Sequence, residues 1–261
     1  MSIATDLDVT TANMARVYDY WRGGRESFAV DRAQADALDA LYPPGAPGPR
    51  ELVARNRAFL ERAVTACVHE IPGPQVLDLG AGFPGPRPLH EVAKNAKAAA
   101  RFCYVDRDAV VVSHGRAAVQ GVGGVAYAEG DLGNPATVMA SPDVRAVIDP
   151  ARPVAAVFGL VLNFLPASDA RRVIQGWADW LAPGSRFVVT VTHWTDEAVW
   201  ERVRAAYGPA PVHNHTGVQL AGMLRGFDLL GEGIVVARGW GPEELEPAGP
   251  ARILAVVARR P

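Results

Sequence analysis

The stretch that decides the fold runs from Val76 to Gly82 and reads VLDLGAG. Its apolar residues predict a buried β-strand, and its glycines predict a tight turn whose backbone a ligand can approach closely. Such a strand delivers Asp78 to the carboxyl end of a parallel sheet, where open α/β sheets bind their ligands. The stretch therefore predicts a nucleotide-type ligand at the edge of a parallel sheet. A tight turn that holds no ligand is the alternative.

The spacing of the glycines distinguishes between two kinds of nucleotide. Gly80, Ala81 and Gly82 are followed by the sequence FPG, so the third glycine is out of register with the G-x-G-x-x-G fingerprint of dinucleotide-binding proteins. The carboxylate of Asp78 would repel a pyrophosphate, whereas it suits the ammonium and sulfonium groups of S-adenosylmethionine. We therefore predict that these four residues hold S-adenosylmethionine rather than NAD.

The composition argues against several classes of partner. The chain has 261 residues, of which 49% are hydrophobic, so it can bury a substantial core. Its 26 basic and 28 acidic residues nearly balance, which gives no general attraction to nucleic acid or to acidic membrane surfaces. No stretch approaches the roughly 20 apolar residues of a membrane span. We expect a soluble, cytoplasmic protein that binds neither nucleic acid nor membranes.

Metal binding is not expected either. The two cysteines, Cys67 and Cys103, lie in apolar contexts that are typical of reduced core thiols. The sequence His213-Asn214-His215 resembles a metal-binding pair, but no acidic residue is spaced with it. We therefore predict no metal site.

Apolar runs bounded by Gly, Pro and Asp predict seven strands, with helical segments between the early ones. The runs cover residues 75–79, 101–105, 124–128, 153–159, 186–192, 227–237 and 253–258. Most are continuously apolar, as in parallel sheets that are covered on both faces. The last two runs are joined by a segment rich in Pro and Gly and predict an antiparallel hairpin at the sheet edge. The pattern predicts an α/β fold with a doubly wound, mostly parallel, seven-stranded sheet.

The residues before the first strand are predicted to be helical, at 11–21, 30–41 and 50–68. A proline-rich loop at 42–49 separates the last two of these helices. The region is too short to form an independent domain. We therefore predict a helical cap or lid at 1–70 over the open end of the sheet, and a catalytic domain at 71–261.

Acidic residues follow the second and third strands as well as the first. Asp106, with Arg107 beside it, ends the second strand, and its carboxylate can accept both hydroxyls of a ribose. Asp131 and Leu132 end the third strand, where the carboxylate can accept from the adenine amino group and the leucine can pack on the ring. A helix N-cap or a partner for Arg107 is the alternative for Asp106, and a turn is the alternative for Asp131.

The fourth strand leads into the region where cofactor and acceptor should meet. Phe158 and Gly159 are predicted to line the cofactor. Asn163 and Phe164 are predicted to face the substrate, although packing at the start of a helix explains Phe164 equally well.

Histidines near the end of the fifth strand are candidates for proton transfer. His193 is a candidate general base, and a hydrogen-bonded structural histidine is the alternative. Trp194 beside it and His213 in a later loop are predicted to contact the substrate.

The chain resembles the actinobacterial S-adenosylmethionine methyltransferase family that was long catalogued as a domain of unknown function. The resemblance rests on motifs that cover nearly the whole chain: ARVYDYWRGG at 15–24, Phe28 with Asp31-Arg32, ARNRAFL at 54–60, LDLGAGFP at 77–84, HEVA at 90–93, YVDRD at 104–108 and LAPG at 181–184. It implies the class I methyltransferase fold, which is Rossmann-like, and binding of S-adenosylmethionine. The chain departs from the family pattern at 85–89, 193–194 and 213–215, where a particular acceptor would bind.

The first of these motifs also has a physical interpretation. Tyr18, Tyr20 and Trp21 could close the pocket with aromatic rings, which suit a sulfonium cation, and Gly23-Gly24 would end the helix. A plain amphipathic cap helix is the alternative. Residues 55–57 could anchor the cap or reach the carboxylate of the cofactor.

Methyl transfer from a sulfonium mainly requires that acceptor, methyl and sulfur are held in line. A base such as His193, Tyr18 or His213 would serve a hydroxyl or a protonated amine, and a neutral amine needs none. The predicted function is O-, N- or C-methylation of a small molecule in specialised metabolism, by a chain that could form a homodimer. The alternatives are a non-methylating reaction assisted by the same cofactor and a non-catalytic sensor that binds it.

Overall fold

The computed structural model describes residues 8–208, 211–238 and 249–261. Its strands are β1 (Gln75–Leu79), β2 (Arg101–Asp106), β3 (Val125–Glu129), β4 (Ala155–Gly159), β5 (Arg186–Trp194), β6 (Asp228–Leu229), β7 (Val235–Val236) and β8 (Ala251–Arg259). Its helices are α1 (Met14–Trp21), α2 (Ala29–Asp39), α3 (Pro49–Glu70), α4 (Leu89–Ala96), α5 (Ala109–Ala118), α6 (Pro135–Ala140), α7 (Pro142–Arg145), α8 (Ala167–Trp180), α9 (Glu197–Ala206) and α10 (Gly217–Met223). A short 3-10 helix covers Val161–Phe164.

One mixed sheet organises the chain. Strands β1 to β5 are parallel in the order β3-β2-β1-β4-β5, and β8 lies antiparallel to β5. The order of the strands therefore reverses between β1 and β4, and ligands bind outside the carboxyl ends of strands at such a switch point. The predicted parallel sheet with a reversed final strand is confirmed.

The predicted sixth strand is interrupted. Residues 227–237 form β6 and β7, which pair with β8 at separate places. Between them Gly231 and Gly233 have φ angles of 59° and 77°, a left-handed conformation that breaks a regular strand. Among the described residues the sheet therefore has eight strands instead of seven. Part of the Pro/Gly-rich segment predicted to join the last two strands, residues 239–248, lies outside the described residues.

Helices cover both faces of the sheet, as the doubly wound prediction requires. One face packs against α3, α4 and α5 in a cluster that includes Val64 and Val76. The other face packs against α6, α8 and α10 in a cluster that includes Leu77 and Trp177. Successive residues of β1 thus point to opposite faces, and both faces are buried. Because both faces are buried, the strands are continuously apolar in sequence.

Helices α1 and α2 are joined to each other by a buried ion pair. Arg16 Nε lies 2.7 Å from Asp31 Oδ2, and both side chains are almost fully buried. Asp31 also accepts hydrogen bonds from the backbone N–H groups of Asn13 and Phe28, at 2.9 and 2.8 Å. Asn13 caps α1 and donates from Nδ2 to Asp108 Oδ2 at 2.9 Å, so the start of α1 is joined to the loop after β2.

Helix α1 ends at the predicted glycine pair. Gly23 has a φ angle of 79°, and the N–H of Gly24 donates to Asp19 O at 2.8 Å, which closes the last turn. The buried carboxylate of Asp19 occupies the space where a Cβ of residue 24 would lie. Gly23 is thus required by backbone conformation and Gly24 by space.

The boundary of the cap at residue 70 stays a prediction. Helix α3 extends from the cap region along the sheet, where Leu60, Val64 and Val68 share a hydrophobic cluster with β1, β2 and β4. Its first turns contribute Leu52 to a different cluster, with Leu38 of α2 and Trp194 of β5. Within the described residues no helix combines the length and the apolar character needed to cross a bilayer.

Candidate functional site

A cavity of about 650 Å³ lies at the carboxyl ends of the parallel strands, beneath α1, α2 and the start of α3. Most of the residues predicted for the site line it: Tyr18, Trp21, Asp78, Gly80, Ala81, Gly82, Asp106, Arg107, Asp131, Leu132, Gly159, Asn163, Phe164 and Trp194. The structure thus brings together residues that are more than 170 positions apart in the sequence. Phe158, Tyr20, His193 and His213 do not line this cavity.

The glycine turn after β1 is built as the sequence indicates. Gly80 and Gly82 have φ angles of 74° and 64°, and the N–H groups of Gly80 and Ala81 donate to Val105 O on β2. A Cβ at Gly80 would collide with Val161, whereas a Cβ at Gly82 would meet no atom within 4 Å. The hydroxyl of Tyr127 donates to Gly82 O at 2.6 Å and fixes the turn from β3. The turn therefore presents open backbone to the cavity.

Asp106 closes the turn from the next strand. Its Oδ2 accepts from the Gly82 N–H at 2.8 Å, and its Oδ1 accepts from the Asp108 N–H at 3.0 Å. Burial raises the pKa of Asp106, and these two hydrogen bonds oppose the rise. The N-cap of α5 is Asp108, whose Oδ1 accepts from Val110 N at 2.8 Å. The alternative of an N-cap at Asp106 is therefore wrong.

Asp78 is the most perturbed carboxyl group of the cavity. Burial raises its pKa to about 7, against the attraction of Arg57 and Arg22 and with a further rise caused by Asp106. No described residue donates a hydrogen bond that would lower the pKa of Asp78. A buried carboxyl group without a donor is a strong site for a cationic ligand.

Two arginines lie close enough to act on Asp78. Arg57 donates from Nε to Glu61 Oε1 at 2.8 Å and from Nη2 to the backbone carbonyl of Arg87. Glu61 is buried and also accepts from Arg87 Nη2 at 2.5 Å, so Arg57 is held in place. Arg22 packs its guanidinium over the ring of Tyr18, 5.8 Å from the centroid.

The sequence predicts a role for Arg57 only as part of the segment 55–57 and none for Arg22. Arg57 lies within the motif at 54–60, and Arg22 lies within the motif at 15–24. Their place in these motifs is the sequence signal that could have identified them. Arg55 instead pairs with Glu51 at 2.5 Å, one turn earlier on α3. Only Arg57 of the three residues 55–57 is therefore positioned as a cationic group of the cavity.

The end of β3 presents a different environment. Asp131 is exposed, and its Oδ1 accepts from the Gly133 N–H at 2.7 Å. The carbonyl of Leu132 accepts from Trp177 Nε1 at 2.8 Å, which anchors this residue to α8. The turn that was the alternative for Asp131 is present, and both residues line the cavity.

Phe158 and Tyr20 point away from the cavity. Phe158 is fully buried in the cluster shared with α8, and its ring lies 6.0 Å from that of Phe187. The ring of Tyr20 packs under the guanidinium of Arg50, and the Cζ atom of Arg50 lies 4.5 Å from the ring centroid. The structure therefore does not place Phe158 beside a cofactor or Tyr20 beside a substrate.

His193 lies on the opposite side of β5 from the cavity. Thr192 and Trp194 line the cavity, and side chains alternate along a strand, so the residue between them points away. The Nδ1 atom of His193 lies 3.0 Å from Oδ1 of Asn214, which also accepts from the Trp194 N–H at 2.9 Å. This is the environment of a structural histidine, which was the alternative.

His213 lines a second cavity of about 520 Å³, together with Asn214 and His215. The rings of His213 and His215 are 6.4 Å apart, and His215 Nε2 lies 3.0 Å from Leu162 O. Burial lowers the pKa of His215. Among the described residues there is no group of three or more His, Cys, Asp or Glu that could hold a metal ion.

Asn163 lines the cavity, but its amide is used in the fold. Its Oδ1 accepts from the Thr192 N–H at 2.8 Å, and its Nδ2 donates to Thr192 O and His213 O at 2.9 and 2.8 Å. Nearby Leu160 has a φ angle of 60°, the only described non-glycine residue with a positive φ. Strain of this kind concentrates at functional sites, and Leu160 lines the cavity. No sequence signal pointed to Leu160.

The comparisons with known proteins agree with this geometry. A family model described as S-adenosyl methyltransferase matches residues 2–261. The crystal structure of a candidate methyltransferase from Thermobifida fusca YX is 30% identical, with a TM-score of 0.85 over 99% of each chain. A DUF574 family protein from Streptomyces avermitilis is 27% identical, with a TM-score of 0.85 over 97% of this chain and 99% of that one.

More distant structures share the fold alone. Magnesium protoporphyrin IX methyltransferase from Synechocystis, solved with bound S-adenosylhomocysteine, is 16% identical, with a TM-score of 0.51 over 86% of this chain and 93% of that one. No functionally curated protein matches the chain. The family match confirms the predicted enzyme class, cofactor and class I methyltransferase fold. The chain belongs to the S-adenosyl methyltransferase family.

Proposed function

We propose that this enzyme methylates a small-molecule acceptor of specialised metabolism, at an oxygen, nitrogen or carbon atom. The observation that carries the proposal is the cavity at the carboxyl ends of the parallel strands, in which the charged ends of β1 to β3 continue into a wall of uncharged residues. Its volume of about 650 Å³ is that of a site for small molecules.

The residues of the cavity fit S-adenosylmethionine. Gly82 leaves open backbone where a Cβ would stand, and Asp78 lacks a hydrogen-bond donor among the described residues. Asp78 would face the ammonium group, and Arg57 with Arg22 would attract the carboxylate. Asp106 would accept from the ribose hydroxyls. The sugar would then compete with, or share, the hydrogen bond that Asp106 accepts from the Gly82 N–H.

Asp131 and Leu132 remain our candidates for contact with the adenine. Gly159 leaves room for Leu60 of α3, whose Cδ1 lies 3.0 Å from the position of an added Cβ. This close packing holds the end of β4 against α3. It also fixes the neighbouring Leu160 at the wall of the cavity.

S-adenosylmethionine supplies a methyl group that its sulfonium has already activated. The chain then has to orient the acceptor, exclude water and leave the reaction path free. No histidine lines the cavity among the described residues, so we propose that no imidazole removes a proton during transfer. Tyr18 lines it, and its hydroxyl accepts from Asn56 Nδ2 at 2.9 Å. We propose that Tyr18 positions its neighbours instead of acting as a base.

The extent of the cavity supports catalysis over sensing. A non-catalytic sensor needs room only for the cofactor, whereas the lining of this cavity extends beyond the acidic strand ends to Trp194 and Ile253. A homodimer and a cytoplasmic location stay predictions, which sedimentation and fractionation would test.

The experiment that tests the proposed function uses S-adenosylmethionine labelled in its methyl group. Purified enzyme is incubated with an actinobacterial lysate that has been separated into a fraction below about 1 kDa, total protein and total RNA. We expect the label to appear in the fraction of small molecules. A parallel incubation with heat-inactivated enzyme is the control for non-enzymatic transfer. Label confined to protein or RNA would contradict the proposal, and so would release of adenosyl products without label transfer.

A further inference from the structure

The wall of the cavity is divided by charge. Within the described part of the chain, its charged lining residues all lie at the end of α1, on α3, near the carboxyl ends of β1 and β2 or in the loops after β2 and β3: Arg22, Arg57, Asp78, Asp106, Arg107, Asp108 and Asp131. The rest of the wall that the described residues form, over β4, β5 and β8, is uncharged. Because neighbouring strands are about 4.8 Å apart, β5 lies roughly 10 Å from β1. We call this second part the uncharged half.

The uncharged half is apolar and aromatic. Trp21, Tyr42 and Trp194 line it, and Leu52 and Ile253 close it with side chains that are almost fully buried. The indole N–H of Trp194 donates to the hydroxyl of Tyr42 at 3.0 Å, so this donor is already satisfied. A charged ligand group would lose its hydration here and find no counter-charge. Flat rings would instead find aromatic partners.

Asn56 lies at the junction of the two parts. One turn before it on α3, Leu52 belongs to the uncharged half, and the next residue, Arg57, acts on Asp78. The side chain of Asn56 is fully buried and lines the cavity. Its Nδ2 donates to the Tyr18 hydroxyl at 2.9 Å, whereas its Oδ1 has no hydrogen-bond partner among the described residues. A buried amide oxygen in this state is an acceptor that a ligand can satisfy.

We infer that the uncharged half takes a neutral, ring-bearing acceptor whose hydroxyl or N–H group donates a hydrogen bond to Oδ1 of Asn56. The inference rests on the proposed function, because it assigns the acceptor class for the same cavity. The hydrogen bond places the donating group of the acceptor at the boundary with the charged part of the cavity. Asn56 then selects acceptors that carry such a donor, and Trp21 and Trp194 select flat rings.

The test measures binding of probe molecules to the protein loaded with S-adenosylhomocysteine, by ligand-observed NMR titration. The probes are 2-naphthol, which has a ring and an O–H donor, 2-methoxynaphthalene, which lacks the donor, and 2-naphthoate, which carries a charge. We expect saturable binding of 2-naphthol and binding of 2-methoxynaphthalene that is about fivefold to tenfold weaker. We expect 2-naphthoate to bind at least about a hundredfold more weakly.

Two variants assign the preference to one atom. Asn56→Leu removes the amide oxygen and should abolish the preference for 2-naphthol over 2-methoxynaphthalene. Asp143→Ala breaks only an exposed ion pair with Arg116 away from the cavity, so it is the control and should keep the preference. If Asn56→Leu does not fold, as judged by its thermal melt, the two probes on the unaltered chain decide the question.

The outcomes separate this inference from the proposed function. Binding of S-adenosylhomocysteine is measured first by calorimetry, and its absence would overturn the cofactor site and the inference together. Binding of S-adenosylhomocysteine with no saturable binding of 2-naphthol overturns the acceptor class alone. Equal affinity for the naphthol and the naphthoate, or a preference that survives in Asn56→Leu, overturns it as well.

Discussion

The two halves of the cavity are built in different ways. The charged half consists mainly of residues near the carboxyl ends of three neighbouring strands, such as Asp78 in β1 and Asp106 at the end of β2, and is completed by Arg22 and Arg57. The uncharged half combines Tyr42 from the loop after α2, Leu52 from α3 and Trp194 from β5. A site for a shared cofactor can thus be encoded in short motifs, whereas a site for a particular acceptor is assembled from distant segments. The comparison predicts that substitutions in one half leave the ligand of the other half bound.

The largest effect is expected from Asp106→Ala. The substitution removes the proposed ribose contact and the two hydrogen bonds that hold Gly82 and Asp108. We expect calorimetry to show at least about a hundredfold weaker binding of S-adenosylhomocysteine, since each hydrogen bond to a charged group contributes about 1.5 to 3 kcal/mol.

Asp143→Ala is the matched control, because that aspartate forms an exposed ion pair with Arg116 away from the cavity. The affinity of this control for S-adenosylhomocysteine should be unchanged. An Asp106→Ala protein that binds within threefold of the unaltered chain would remove Asp106 from the site. The carboxylate of Asp106 would then serve only to hold Gly82 and Asp108 by its hydrogen bonds.

Asp78 should show opposite effects on binding and on stability. Its pKa is raised from 3.8 to about 7 in the folded protein, so the folded state holds this proton more tightly than the unfolded state. Without ligand, the free energy of unfolding should therefore fall as the pH rises from about 4 to about 7, by at most on the order of 4 kcal/mol. Asp78→Asn should remove this fall, and its Tm at pH 8 should be higher than that of the unaltered chain.

Binding of the cationic cofactor requires the ionised carboxylate. The affinity for S-adenosylmethionine should rise between pH 6 and pH 8 in the unaltered chain, and in Asp78→Asn it should be about tenfold lower at pH 8 and should lack this rise. Calorimetry in two buffers of different ionisation enthalpy would detect the released proton. A variant that loses stability at pH 8 would show that the carboxylate stabilises the empty cavity, contrary to this expectation.

Physical reasons explain which parts were predictable. Strand β1, the glycine turn and the acidic strand ends are local patterns, and parallel strands bring their carboxyl ends to one edge. His193 could not be placed, because its side is set by the alternation along β5 and a shift of one residue exchanges the two sides. No local sequence pattern indicates that Tyr42 and Asn56 line the same cavity wall. Their proximity depends on how α2 and α3 pack over the sheet.

A smaller effect is expected in the uncharged half from Tyr42→Phe. The change keeps the ring and removes the hydroxyl that accepts from Trp194 Nε1. We expect stability to fall by about 1 to 2 kcal/mol, because a buried indole N–H loses its acceptor. The affinity for S-adenosylhomocysteine should stay within twofold, as calorimetry would show. A loss of tenfold or more would mean that the two halves do not bind their ligands independently.

The smallest effect should come from His193→Ala, because this side chain lies outside both halves. Its ring contacts Asn214, which keeps two further hydrogen bonds to the backbone of Trp194 after the substitution. We expect the rate of label transfer to a small-molecule acceptor to stay within about twofold, with the same pH profile, since one hydrogen bond contributes about 1 kcal/mol to stability and none to the reaction. A fall of a hundredfold in kcat, together with loss of an inflection in the range where an imidazole titrates, would instead make His193 the general base. In that case β5 would have to present its other side to the substrate, and the division of the cavity into two halves would no longer describe the working enzyme.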